Sequence, residues 1–219
     1  MTEYFRAAKL QAQITDSVIV SFSMGKDSIT AMDLAFKYFK HVYPFFMYLV
    51  PDLSFQERDL QRYENRYGTK IIRVPHFENS EFYRYGSFRE PDLSVPVVKI
   101  ADIYDEIRRQ TGAYWIMGGE KIADSIVRRP MLKRSGCVDE SRGRFYPLID
   151  WKKNDVLKYI RLNSLYMPLF QRELGFSFHS LAGKELAVIK QKYPNDYERI
   201  LDFFPEAGAG VFRYEQYGK

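Results

Sequence analysis

The stretch SFSMGKDS, at residues 21–28, gathers hydroxyl groups, a glycine, a lysine and a carboxylate on a few consecutive positions. The apolar, β-branched run at 18–20 before it is typical of a buried strand. The apolar side chains after it recur at helical spacing, which predicts an amphipathic helix. The stretch is therefore predicted to be a loop between a strand and a helix. Its candidate ligand-binding residues are Ser21, Ser23, Gly25, Lys26, Asp27 and Ser28.

Such a loop has the chemistry of an anion site. The first N–H groups of a helix have no partner within the helix and carry a partial positive charge, which suits a phosphate or pyrophosphate. Gly25 lets a ligand approach the backbone closely, and Lys26 offsets negative charge. Asp27 fits an anion site when Mg²⁺ bridges it to the phosphates, which makes Asp27 the predicted metal ligand. The alternative is an ordinary turn in which Asp27 or Ser28 only caps the helix.

The spacing within the loop separates it from two common phosphate-binding motifs. It has neither the G-x-x-x-x-G-K-S/T pattern of a Walker A motif nor the G-x-G-x-x-G pattern of a dinucleotide site. Its pattern S-x-G-K-D-S resembles the PP-loop of the ATP pyrophosphatases, or adenine nucleotide alpha hydrolases, whose usual form is S-G-G-x-D-S. Met24 stands where that form has its first glycine.

Two later stretches carry a second resemblance. They are WIMGGEKIADSIVRRPMLKRSG, at residues 115–136, and FYPLIDWKKNDVLKYIRLNSLYMPLF, at residues 145–170. Both resemble the phosphoadenosine phosphosulfate (PAPS) reductase-like branch of that superfamily. In this branch a strand ends in a glycine followed by an acidic residue, a serine and an arginine, and a later P-L-x-D-W leads into a helix. The three blocks follow one another in the family order.

The elements that must position these residues alternate between strand and helix. Apolar runs at 43–50, 70–75, 113–119 and 144–151 predict strands, with helical patterns between most of them. This alternation predicts an α/β fold with a parallel sheet covered by helices on both faces. The resemblance implies an open sheet of five mainly parallel strands, with the nucleotide across their carboxyl ends. We expect a nucleotide-binding domain at 1–170 and a helical extension at 171–219 packed on it.

Further candidate residues follow the predicted strands. Gly118 and Gly119 would let a base or ribose pack against the backbone. Arg128 and Arg129 offer paired donors for the nucleotide phosphates or an acidic substrate, although a solvated basic loop is the alternative. Asp52 matches the place where relatives contact adenine or ribose, and an ordinary turn is the alternative there. Glu120 and Asp124 could hold Mg²⁺ or orient the arginines.

Composition narrows the classes of protein. With 219 residues, of which 46% are hydrophobic, the chain can bury one substantial core. The single cysteine, Cys137, excludes an internal disulfide framework, a Cys/His zinc site and ligation of an iron–sulfur cluster. The net charge of +5 permits an anionic partner such as a nucleic acid. No apolar run is long enough to span a membrane, and we expect a cytoplasmic protein without a membrane partner.

The resemblance implies an enzyme that binds ATP with Mg²⁺ and releases pyrophosphate as a nucleophile attacks the α-phosphate. Lys26, Asp27, Arg128 and Arg129 would be the catalytic residues, and sulfur or nitrogen transfer to a base or small molecule could follow. The acceptor is open, with a nucleic acid or a sulfur-donor protein as candidate partners, and so is formation of a homo-oligomer. One alternative is a PAPS or APS reductase that uses an external thiol, because no cysteine follows residue 170. The other is a nucleotide-binding subunit without turnover.

Overall fold

The computed structural model describes residues 5–123, 126, 129–174 and 178–218. In these ranges the chain forms an α/β structure in which most strands are separated by helices, as the sequence predicts. The strands are β1 (Ser17–Ser21), β2 (His41–Tyr48), β3 (Ile72–Pro75), β4 (Ile116–Met117), β5 (Val138–Asp139) and β6 (Arg144–Phe145). The helices are α1 (Arg6–Ile14), α2 (Lys26–Tyr38), α3 (Ser54–Tyr67), α4 (Glu78–Tyr85), α5 (Ile100–Thr111), α6 (Arg129–Ser135), α7 (Lys153–Leu162), α8 (Leu169–Leu174), α9 (Gly183–Lys192), α10 (Pro194–Phe203) and α11 (Ala207–Tyr217).

The strands form one open sheet with the order β3-β2-β1-β4-β6-β5. β1 is parallel to both β2 and β4, and Ile19 of β1 lies opposite Ile116 of β4. The three central side chains of β1 are fully buried, as expected for a parallel strand covered on both faces. The predicted α/β class with a mainly parallel sheet is confirmed.

The sheet of the described residues has six strands rather than the five expected. The additional strand, β5, has two residues, Val138 and Asp139, and pairs antiparallel with β6. It lies in the polar stretch GCVDESRG, at residues 136–143, which has no alternating or long apolar run, so the pattern could not predict it.

The chain divides into two compact units. One contains Met1–Phe46, Tyr67–Ile72 and Tyr104–Ser177, and the other contains Met47–Arg66, Arg73–Ile103 and Phe178–Lys219. The expected boundary at residue 170 is a different division of the chain and stays a prediction. Over the described part of the chain, no helix is both long and apolar enough to cross a membrane.

Helix α2 of the first unit is held in place through one partly buried carboxylate. Asp33 accepts hydrogen bonds from the hydroxyls of Tyr67, at 2.8 Å, and Tyr159, at 2.6 Å. Burial, reinforced by the Asp33 carboxylate, raises the pKa of Tyr159 above its usual value, so this hydroxyl stays a donor. The ring of Tyr67 also stacks on Phe36 of the same helix, with 4.4 Å between ring centroids. The residues that follow the loop at 21–28 therefore lie on a fixed helix.

Helix α3 begins, in the second unit, against a carboxylate from a distant helix. Asp196 of α10 is buried and accepts hydrogen bonds from the backbone N–H of Ser54, at 2.8 Å, and of Phe55, at 3.3 Å. The hydroxyl of Ser54 donates to the same carboxylate at 2.7 Å. A negative charge at a helix N-terminus satisfies N–H groups that have no partner within the helix. The last helices of the chain thus help to complete α3.

We expect Asp196→Ala to lower the free energy of unfolding by about 2 kcal/mol, because it leaves the first N–H groups of α3 without an acceptor. Urea unfolding followed by circular dichroism would measure the loss. The exposed Asp202, on the same helix α10, provides the matched control, and Asp202→Ala should change stability by about 0.5 kcal/mol or less. Equal stability of the two variants would contradict the capping role.

Candidate functional site

The loop at 21–28 leads from the end of β1 into the start of α2. The Ser28 hydroxyl donates to the carbonyl of Gly25 at 3.0 Å and accepts from the backbone N–H of Ser23 at 3.2 Å. The Ser23 hydroxyl lies 3.2 Å from the same oxygen. These bonds fold the loop over the first turn of α2, whose free N–H groups suit an anion. The structure thus brings together Ser23, Gly25 and Ser28, three of the predicted binding residues.

Met24 adopts the backbone conformation for which glycine is the usual residue. Its φ is +59°, in the left-handed region, where a side chain costs about 1 kcal/mol. The side chain is only 6% exposed, so it is packed within the protein. The backbone of Met24 therefore has a conformation that glycine would adopt at lower cost.

Asp27 lies between two lysine ammonium groups. One carboxylate oxygen is 2.6 Å from Lys26 Nζ and the other is 2.5 Å from Lys121 Nζ. Lys121 follows β4, and its side chain is fully buried. Lys121 is not among the binding residues predicted from the sequence, because one lysine after a strand has no spacing signal. Both ammonium groups contact a residue in the first turn of α2, where positive charge favours an anionic ligand.

A magnesium ion at this site would use Asp27 as its protein ligand. Mg²⁺ commonly takes one or two carboxylates together with phosphate oxygens and waters. Among the residues that the structure describes, no group of three His, Cys, Asp or Glu side chains is arranged to hold a metal ion. The assignment of Asp27 to Mg²⁺ stays a prediction, and it requires at least one lysine to move away from the carboxylate.

Gly119 places the end of β4 directly against the loop. A Cβ atom at Gly119 would lie 2.8 Å from the carbonyl carbon of Asp27 and 3.0 Å from the backbone nitrogen of Ser28. A Cβ atom at Gly118 would lie 3.0 Å from Arg144 Nη2 and would overlap the Glu120 carboxylate. In this structure the two glycines make room for protein atoms. A contact of either glycine with a base or ribose stays a prediction.

Glu120 and Arg144 form a largely buried ion pair above Gly118. Arg144 Nη2 lies 2.7 Å from Glu120 Oε1, and the guanidinium also lies over the rings of Tyr104 and Tyr146. Burial opposes the charge on Arg144, yet Glu120 and the two tyrosines leave its pKa above the usual value. Within the described ranges, Glu120 Oε2, Arg144 Nε and Tyr146 Oη are buried without a hydrogen-bond partner. Glu120 therefore orients an arginine, one of the two roles suggested by the sequence.

The remaining predicted residues have separate surroundings. Arg129 is exposed at the start of α6, and its Nε donates to the carbonyl of Ile122 at 3.3 Å. Arg128 and Asp124 lie outside the described residues. Asp52 belongs to the second unit, has a φ of +57°, and pairs with Arg199 at 3.0 Å. The roles of Arg128, Arg129 and Asp52 in ligand binding stay predictions.

A family match covers most of the chain. Residues 17–203 match the model of the phosphoadenosine phosphosulfate reductase domain. The chain belongs to this family. Comparison with curated proteins gives no match. Membership supports a nucleotide-binding enzyme, and it leaves the particular reaction open.

Three solved structures share the fold of this PAPS reductase family member. PAPS reductase from Candida auris, a phosphate complex, has a TM-score of 0.56 and 15% identity, over 81% of this chain and 89% of its own. NH3-dependent NAD synthetase from Campylobacter jejuni, in complex with nitrate, has a TM-score of 0.53 and 13% identity, over 100% of this chain and 96% of its own. U34-tRNA thiolase NcsA from Methanococcus maripaludis, with its 4Fe–4S cluster, has a TM-score of 0.50 and 15% identity, over 91% of this chain and 79% of its own. All three similarities concern the adenine nucleotide alpha hydrolase fold.

We expect Gly119→Ala to weaken nucleotide binding by about tenfold or more, because its methyl group would push the first turn of α2 out of place. Isothermal titration with ATP would measure the change. Gly208→Ala is the matched control, since a methyl group there meets its nearest neighbours at an ordinary 3.6 Å. An affinity of Gly119→Ala equal to that of the control would show that the close contact does not shape the site.

Proposed function

We propose that this chain binds ATP at the loop 21–28 and cleaves it at the α-phosphate, releasing pyrophosphate and leaving an adenylated intermediate. The observation that carries this proposal is Asp27 held between Lys26 and Lys121 at the start of α2. A helix N-terminus with an adjacent positive group favours a multiply charged anion such as a nucleotide phosphate. The family match supports a nucleotide as the ligand.

The loop would act on the leaving group. The N–H groups at the start of α2 and the hydroxyls of Ser23 and Ser28 can donate to pyrophosphate, and Lys26 can offset the negative charge that grows on it. Asp27 and the substrate phosphates would together hold Mg²⁺, which would neutralise more of the negative charge. Arg128 and Arg129 would steady the phosphoryl group under attack.

The protein need not supply a nucleophile in this reaction. An oxygen of the acceptor forms a bond to the α-phosphorus, while the bond from that phosphorus to the bridging oxygen of the β-phosphate breaks. A sulfur or nitrogen nucleophile then attacks the activated carbon of the acceptor, and AMP leaves with the oxygen. Tight positioning of the two reactants supplies much of the rate enhancement in such a step. The acceptor would be a nucleic-acid base or a small molecule.

A sulfonucleotide reductase is the second candidate, and the family match favours it. Such an enzyme transfers the sulfonate group of PAPS to a thiolate, and adenosine 3′,5′-bisphosphate leaves. A second thiol then forms a disulfide with the first, which releases sulfite. Cys137, the one cysteine of the sequence, is half-buried and packs against Leu132, Tyr146 and Ile149. Apolar packing of this kind is typical of a structural cysteine. The thiol would therefore come from an external donor.

Product analysis with α-labelled ATP and Mg²⁺, with and without bulk tRNA or DNA, tests the first proposal. We expect AMP and pyrophosphate from the wild-type protein, and a rate about 100-fold lower for Asp27→Ala, because the loop loses its central carboxylate. Asp16→Ala, which removes an exposed carboxylate next to β1, should keep the wild-type rate. Stimulation by one nucleic acid would indicate the acceptor class.

Two other outcomes would replace the proposal. ATP that raises the melting temperature without being consumed would favour a binding subunit without turnover, since a ligand that binds only the native state stabilises it. Incubation with PAPS and dithiothreitol distinguishes the reductase. On the first proposal no sulfite forms, whereas sulfite released equally by wild type and Cys137→Ser would establish reduction by an external thiol.

A further inference from the structure

The two lysines on Asp27 differ in their access to solvent. The side chain of Lys121 is fully buried, whereas those of Lys26 and Asp27 are 21% and 20% exposed. A buried ammonium without a counter-charge is costly, because it has lost its hydration. An ammonium that reaches solvent can leave one anion for another at much lower cost. Lys121 is therefore the more permanent partner of Asp27, and Lys26 is the one that can be exchanged.

The backbone around Lys121 is fixed on both sides. Gly119, two positions earlier, packs on the backbone of Asp27. The N–H of Ile122, the next residue, donates to the carbonyl of Ile149 at 3.0 Å. Because these contacts fix the turn after β4, Lys121 has little freedom to follow a ligand.

We propose that Lys121 is a positioning residue that stays with Asp27 when the pyrophosphate group of a nucleotide draws Lys26 away. This inference rests on the proposed function and adds the exchange of one lysine to it. Without Lys121, the Asp27 carboxylate would face the incoming anion with no counter-charge, since Lys26 cannot neutralise both groups. Lys121 thus allows a loop that contains a carboxylate to bind an anion.

Urea unfolding of four proteins tests the ion pair without any ligand. They are the wild type, Asp27→Asn, Lys121→Met and the double variant. We expect Asp27→Asn to lower the urea midpoint clearly in the wild-type background, because the buried Lys121 loses the carboxylate 2.5 Å from its ammonium group. In the Lys121→Met background the same change should have little effect. If Asp27→Asn lowered the urea midpoint equally in the two backgrounds, the inference would be overturned, since substitutions of two residues that form a strong ion pair do not have additive effects.

Titration of inorganic pyrophosphate in EDTA, without divalent cations, tests the exchange. We expect Lys121→Met to bind it about tenfold more weakly than the wild type, and the double variant to regain the lost affinity, because the Asp27 carboxylate then no longer opposes the anion. Lys158→Met, which removes an exposed lysine of α7, is the control for net charge and should bind like the wild type.

The outcomes separate the two proposals. If the role of Lys121 is purely structural, the double variant binds pyrophosphate as weakly as Lys121→Met, and this result overturns the inference. Binding by the wild type would in that case still support the proposed function. Another outcome is that the two substitutions have non-additive effects on the urea midpoint but none of the four proteins, the wild type included, binds pyrophosphate. That result would count against the proposed nucleotide site and therefore against the exchange of Lys26.

Discussion

The contact between Gly119 and the first turn of α2 is the constraint on which the candidate site depends. It joins the ends of two neighbouring parallel strands, because β1 leads into the loop and β4 leads into Gly119. A side chain at this position would separate them. With the backbones this close, the residue two positions later can reach the carboxylate of Asp27. The site is thus assembled by backbone packing and then given its charge by side chains.

Much of the fold could be predicted from the sequence because its signals are local. The β-branched run before Ser21 and the helical spacing after Ser28 are enough to define strand, loop and helix. Ser23, Gly25 and Ser28 could be grouped because they lie within one turn of chain. Lys121 could not be found in this way, since its importance depends on the pairing of β1 with β4. The pattern gives the elements, and the sheet order decides which of their ends meet.

Arg144 shows a similar limit for charged residues. In the sequence it stands at the end of a stretch, residues 128–144, that contains six basic residues after β4. In the structure it lies in strand β6, where Glu120 and two aromatic rings surround its guanidinium. A basic run therefore does not reveal which of its members are already paired within the protein. Burial and pairing, rather than spacing, separate Arg144 from the exposed Arg129.

The cap on α3 affects the order in which the chain can fold. Asp196 follows Ser54 by 142 positions, so its carboxylate reaches the helix only by closing a long loop. Contacts between residues far apart in sequence form slowly, because the entropy of the intervening chain is lost first. On a ribosome, α3 emerges well before its capping residue has been synthesised. The second unit is therefore expected to complete its folding late, when most of the chain is already present.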